Sequence, residues 1–202
     1  MQTDSISYSD PYAETPEERL ERGGFTRKAN PHDFEAIVEA VKAVEPCYGL
    51  LFAGGVGCGK TTAARAVVDG RPIIRAVKTD DVKDVLSRGF RSDVLSRYSL
   101  PRIGGDPSIW DNWERSFVLD DLGAEARVND FGVMHEYAAE LLVEVLDNPR
   151  YWMESPVIIT TNLTARAIAE RYGERVASRL FSRFYTVKFT AQDLRKPLRV
   201  FG

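Results

Sequence analysis

The stretch "GGVGCGKTT", Gly54–Thr62, fits the spacing G-x-x-x-x-G-K-[ST] through Gly54, Gly59, Lys60 and Thr61. It follows the apolar run "YGLLFA" and leads into "AARAVV", which predicts a loop between a strand and a helix. Glycines let the backbone turn tightly and aim successive N–H groups inward, and the following helix presents the positive end of its dipole. Gly54, Gly55, Val56, Gly57, Cys58, Gly59, Lys60, Thr61 and Thr62 are therefore the candidate cradle for a triphosphate such as ATP. Lys60 is expected to reach the outer phosphates, and Thr61 to offer its hydroxyl to Mg²⁺.

A triphosphate loop needs a carboxylate to hold the metal. "SFVLDDLGAE" supplies a pair at the end of an apolar strand: Asp120 for the metal and Asp121 to orient or deprotonate a water. Glu125 reads as the cap of the following turn, with a second polarising acid as the alternative. The run "PVIITTN" ends in Thr160, Thr161 and Asn162, where a neutral amide is placed to position water, to cap the helix "LTARAIAERY", or both. In "ERYGERVASRLFSRF", Arg171, Arg175, Arg179 and Arg183 recur every fourth residue, a slowly winding stripe on an unbroken helix, with Gly173 a candidate break. Pairing with Glu170 and Glu174 on a solvated face accounts for Arg171 and Arg175, whereas Arg179 or Arg183 is the candidate for stabilising a transferring phosphoryl group across a subunit boundary.

These groups need a scaffold. "GLLFAG", "PIIRAV", "SFVLDD", "PVIITT" and "YTVKF" read as strands and alternate with helical patterns such as "DFEAIVEAVKAV" and "VMHEYAAELLVEVL". That alternation predicts an α/β fold with a parallel sheet covered on both faces. A length of 202 residues suits one core. The formal charge of −3 gives no global field to draw the chain onto nucleic acid. Cys47 and Cys58 are too few for a disulfide framework, His32 and His135 have no metal-ligand companions, and "DFG" at Asp130–Gly132 lacks the rest of a protein-kinase set. The polar, acidic start is unlike a signal peptide, so residues 1–30 are expected to form a flexible tail with a short helix at "PEERLER", residues 31–202 the core, and the location to be the cytoplasm. Residues 88–113 carry glycines and prolines that interrupt any period.

"GGVGCGKTT", "FVLDDLGAE", "VIITTNL", "ERYGERVASRL" and "DLRK", in that order from about Tyr48 onward, resemble the DnaC/IstB-like branch of AAA+ P-loop ATPases. The resemblance implies a three-layer fold with a five-stranded parallel sheet and no C-terminal helical lid, since only "TAQDLRKPLRVFG" follows "YTVKF". It implies that the strand ending in Asn162 lies between the strand with the phosphate loop and the strand with Asp120. By the same match Asn162 is the first sensor, Arg179 the arginine finger and Arg195 the second-sensor arginine. The implied activity is slow, Mg²⁺-dependent ATP hydrolysis coupled to self-association, serving a replicative helicase as its loader. A transposition helper acting on a transposase shares every motif, and a small-molecule phosphotransferase or an ATP-driven binding module is more distant. Lys188, Arg195, Lys196, Arg199 and "TRK" at 26–28 are candidate contacts to single-stranded DNA. Compared with full-length loaders, a separate helicase-binding domain is not expected in the residues given ahead of the core.

Overall fold

The structure is a computed structural model that describes residues 14–43, 49–68, 73–75, 117–125, 128–130, 133–135, 142, 143, 146 and 157–193. Four strands form its parallel sheet in the order β3-β6-β1-β7: β1 (Gly49–Gly54), β3 (Phe117–Leu122), β6 (Val157–Thr161) and β7 (Phe184–Phe189). A strand of three residues, β2 (Ile73–Arg75), pairs in parallel with the outer side of β3. β6 thus lies between the strand bearing the phosphate loop and the strand bearing Asp120, the order the resemblance implied.

Burial on both faces explains why the inner strands are continuous apolar runs. Successive side chains point to opposite faces: Leu50 and Phe52 enter one core with Phe34, Ile37, Val41 and Ala63, while Leu51 enters the other with Leu119, Ile159, Ile168 and Leu180. Helices α1 (Pro16–Arg22), α2 (Pro31–Ala43) and α3 (Lys60–Val67) contribute to the first core, and α4 (Ala165–Tyr172) and α5 (Glu174–Arg183) to the second. Of the apolar residues at helical spacing in "DFEAIVEAVKAV", Phe34, Ile37, Val38 and Val41 are buried in α2, and Val44 lies outside the described residues.

Two expectations change. Residues 14–30, expected to belong to a flexible tail, pack instead against the core. Thr15 and Glu18 close a capping box at the start of α1, with Pro16 in the first turn. Leu20 and Phe25 are buried, the Phe25 ring packs between Phe34 and Phe189, and Lys42 holds Glu17 at 2.6 Å. The acidic composition hid a few large apolar groups that suffice to anchor the segment. The helix expected to start at Val133 gives way there to an antiparallel strand pair, β4 (Val128–Asp130) with β5 (Val133–His135), in which Val128 pairs with His135 and Asp130 with Val133. Further along that pattern Leu142, Val143 and Leu146 are helical. The segment 88–113 and Cys47 lie outside the described residues.

Candidate phosphate-binding site

The phosphate loop joins β1 to α3, as the spacing predicts. Gly57 has φ +77 and is pressed against Asp193, whose carboxylate would lie 1.9 Å from a Cβ at that position. Only glycine meets both the left-handed backbone and that close approach. The first turn of α3 has no side-chain cap and no acidic residue, so its N–H groups and the positive end of the helix dipole face the loop.

A cavity of about 360 Å³ opens on this loop, lined by Val56, Gly57, Gly59, Lys60, Thr61, Thr62, Asp121, Ala124 and Asn162. Lys60 is only 5% exposed, and its Nζ donates to the Gly54 carbonyl at 3.0 Å, the Gly55 carbonyl at 2.6 Å and Asn162 Oδ1 at 2.7 Å. Cys58 Sγ lies 3.5 Å from the same nitrogen. Every one of these partners is uncharged, whereas buried charges are ordinarily paired. An ammonium held by neutral acceptors on a cavity wall of backbone donors is suited to an anion.

The opposite wall is set by strand register. β3 and β6 run level at Leu119 and Ile159 but resume at Leu122 and Thr161, so β3 carries one extra residue. This bulge contains Asp120 and Asp121, and Asp121 takes φ +60, uncommon for a side-chain-bearing residue and tolerated best by Asp or Asn. Asp120 is buried and its Oδ1 accepts the Thr61 hydroxyl at 2.8 Å and the Thr160 hydroxyl at 2.7 Å. Asp121 instead lines the cavity, its N–H donating to Thr160 Oγ1 at 2.9 Å. The Thr160 hydroxyl therefore fixes both acids at once. That role was not read from the sequence, where Thr160 is one of two adjacent threonines, and only the register across β3 and β6 separates them.

The chain shares the α/β fold of the DnaC helicase loader. Among solved structures it is similar to the DnaC helicase loader at 21% identity and a TM-score of 0.50, over 80% of this chain and 97% of that one. It is also similar to AMPPCP-bound DnaA from Aquifex aeolicus, at 19% identity and a TM-score of 0.46, over 80% of this chain and 46% of that one. The replication initiator DnaA bound to AMPPCP and single-stranded DNA gives 18% identity and a TM-score of 0.47, over 79% and 46% of the two chains. No family model and no curated protein matches the chain.

Within this fold the remaining expected site residues fall in different places. Asn162 serves Lys60 and not the following helix, whose cap is Thr164, with its side chain accepting the Ala167 N–H at 3.2 Å. Gly173 breaks the arginine stripe between α4 and α5. The pairing expected of Arg171 with Glu170 is replaced: Glu170 takes Arg166 at 2.7 Å, and Arg171 turns inward to Glu125. Arg175 is exposed, Arg179 is half-buried, and Arg183 donates to the Leu146 carbonyl. Neither Arg179 nor Arg183 lines the cavity. Glu125 caps the turn before it by accepting the Gly123 N–H at 2.7 Å. Arg195, Lys196 and Arg199 lie outside the described residues, and no helix among the described residues is long and apolar enough to cross a membrane.

Proposed function

We infer that this chain is an ATP-binding AAA+ ATPase acting in DNA replication as a DnaC-like helicase loader in the cytoplasm. The observation that carries the reading is Lys60, a buried ammonium with uncharged partners, on a cavity also lined by Thr61, whose hydroxyl donates to the buried Asp120 behind it. The loop N–H groups and Lys60 would hold the phosphates of ATP. Thr61 and Asp120 would hold Mg²⁺, whose coordination habit of one or two protein oxygens plus phosphates fits so small a donor set. Among the described residues no three His, Cys, Asp or Glu side chains converge, so no all-protein metal cage competes with that assignment. Mg²⁺ supplies charge neutralisation on the phosphate oxygens when bound.

Asp121 is the group placed to orient and deprotonate a water, because the bulge brings it to the cavity while Asp120 stays behind with the two hydroxyls. Asn162, now on Lys60, is the first sensor. Since Arg179 does not line its own chain's cavity, its role as a finger belongs to a neighbouring subunit's site, which ties hydrolysis to ATP-dependent self-association. Arg195 is the second-sensor arginine, and the core is the five-stranded, lidless form of the fold. Hydrolysis is slow, since the shorter Asp stands where a Glu would reach further. Single-stranded DNA would be met by exposed Lys188 and by Arg27 and Lys28.

Light scattering with ADP, with a non-hydrolysable ATP analogue, and with the analogue plus single-stranded DNA tests the assembly. Growth with the analogue alone, and further with DNA, is the expected result, followed by co-sedimentation with a replicative helicase. An unchanged monomer in all three conditions overturns the assembly. Co-sedimentation with a transposase and not a helicase would reassign the chain to the transposition helpers.

A further inference from the structure

Beside the cavity, and not part of it, lies a buried carboxylate that the phosphate chemistry does not use. Glu125 is 7% exposed, and both of its oxygens are engaged. Oε2 accepts the Gly123 N–H at 2.7 Å, and Oε1 accepts the Tyr172 hydroxyl and faces the Arg171 guanidinium at 3.4 Å. Arg171 also donates to the Glu125 carbonyl at 2.6 Å. With no oxygen free and no place in the cavity lining, Glu125 is not an acid for the reacting atoms. Its three donors instead come from two different parts of the chain.

One part is the loop of Asp121. The Ala124 N–H donates to the Asp121 carbonyl at 3.0 Å, and Ala124 lines the cavity beside Asp121. Gly123, at φ +102, leaves room for Leu163, whose methyl would lie 2.5 Å from a Cβ there. The other part is the end of α4, where Arg171 and Tyr172 are the last residues before Gly173 and α5. Burial and the carboxylate it donates to push the Tyr172 pKa far up, so its hydroxyl stays a donor. A buried charge with three donors resists loss of any one of them, because the remainder cannot turn to water.

We propose that Glu125 is a positioning residue that couples α5, which carries Arg179, to the loop that places Asp121, so that engagement of α5 by a neighbouring subunit sets the turnover of its own chain's site. This rests on the ATPase reading. The link is contiguous: Asp121 to Ala124 through the turn, Glu125 to Arg171 and Tyr172, and Tyr172 through Gly173 into α5. Such a connection carries coupling only if both ends change together, which is measurable.

The experiment compares phosphate release per subunit over a range of protein concentrations for wild type, Glu125→Gln, Tyr172→Phe and Lys60→Ala, alongside the affinity for a fluorescent ATP analogue and the assembly size. Wild-type turnover should rise with concentration as subunits meet. Glu125→Gln should keep its ATP affinity within about twofold and its assembly, yet lose about 2- to 30-fold of the concentration-dependent turnover, the range of coupling changes for residues along such networks. Tyr172→Phe, which removes one donor and keeps the carboxylate, should lose less in the same direction and covers the case in which Glu125→Gln does not fold. A Glu125→Gln profile that parallels wild type, or a loss that merely tracks weakened ATP binding, overturns the coupling. A wild-type rate independent of concentration also overturns it while leaving hydrolysis standing. Wild-type release no faster than Lys60→Ala overturns the ATPase reading itself.

Discussion

The two walls of the cavity are made in different ways. One is the continuous stretch Gly54–Thr62, where loop, lysine and helix start follow one another along the chain. The other gathers Asp121 and Ala124 from the end of β3 and Asn162 from the end of β6, and it exists only because those strands lie side by side with a bulge in one of them. The continuous wall is built by local geometry and meets the other through Lys60 on Asn162 and Thr61 on Asp120, so its substitutions should act first on nucleotide affinity. The assembled wall depends on shared hydroxyls and register, so its substitutions should affect turnover and stability together.

The largest expected effect falls on the continuous wall. Lys60→Ala removes charge-assisted contacts worth about 1.5–3 kcal/mol, or roughly 10- to 150-fold in ATP affinity, read by titration with a fluorescent analogue. Unchanged affinity would place the triphosphate elsewhere.

Asp33 offers a contrast of similar size outside both walls. It is 1% exposed and accepts the Thr190 N–H at 3.0 Å, the Thr190 hydroxyl at 2.8 Å and the Ala191 N–H at 3.1 Å, just before the chain reaches Asp193 against Gly57. Burial works to raise its pKa, but those donors prevail and hold it below the ordinary carboxylate value. A folded-state pKa below the unfolded one stabilises fully above the unfolded value, about pH 4, and the contribution fades as pH falls through the folded value. Asp33→Asn should therefore cost about 1.5–3 kcal/mol in urea unfolding at pH 7, with the gap to wild type narrowing below pH ~4. A gap that widens in acid would contradict the assignment.

Gly57→Ala should cost about 1–2 kcal/mol for its left-handed backbone alone, with the Asp193 contact added. Pairing it with Asp193→Gly should restore thermal stability only in part, since the backbone cost remains. Full restoration would mean that the contact, not the backbone, selects glycine. The smallest effect is expected at Thr160→Val, about 0.5–1.5 kcal/mol of unfolding free energy with turnover reduced and ATP affinity kept. If affinity fell in step with turnover, the two walls would not be separable.

The continuous wall was legible in the sequence because its chemistry and its order along the chain coincide. Asp120 and Asp121 take separate roles already in the sequence reading, but the bulge against Thr160 that keeps one behind and brings the other to the cavity is announced by no local pattern. Asn162 was ambiguous between cap and site, and Thr164, two residues on, resolves it by taking the cap. Arg171 misled because its neighbours Glu170 and Glu174 looked sufficient, whereas Glu125, distant along the chain, is the partner. Residues 14–30 were read as tail because charge dominates their composition, yet Leu20 and Phe25 alone reach the core. The helix pattern from Val133 opens instead as a strand paired with Val128–Asp130, a long-range choice that the local period does not show.

The most direct test is phosphate release at saturating ATP and Mg²⁺ for wild type, Asp121→Asn and Lys60→Ala, with ATP affinity measured in the same samples. The two-wall account predicts wild-type turnover above the Lys60→Ala background, and Asp121→Asn at that background while binding ATP as tightly as wild type. Asp121→Asn turning over like wild type, or wild type no faster than Lys60→Ala, would contradict it.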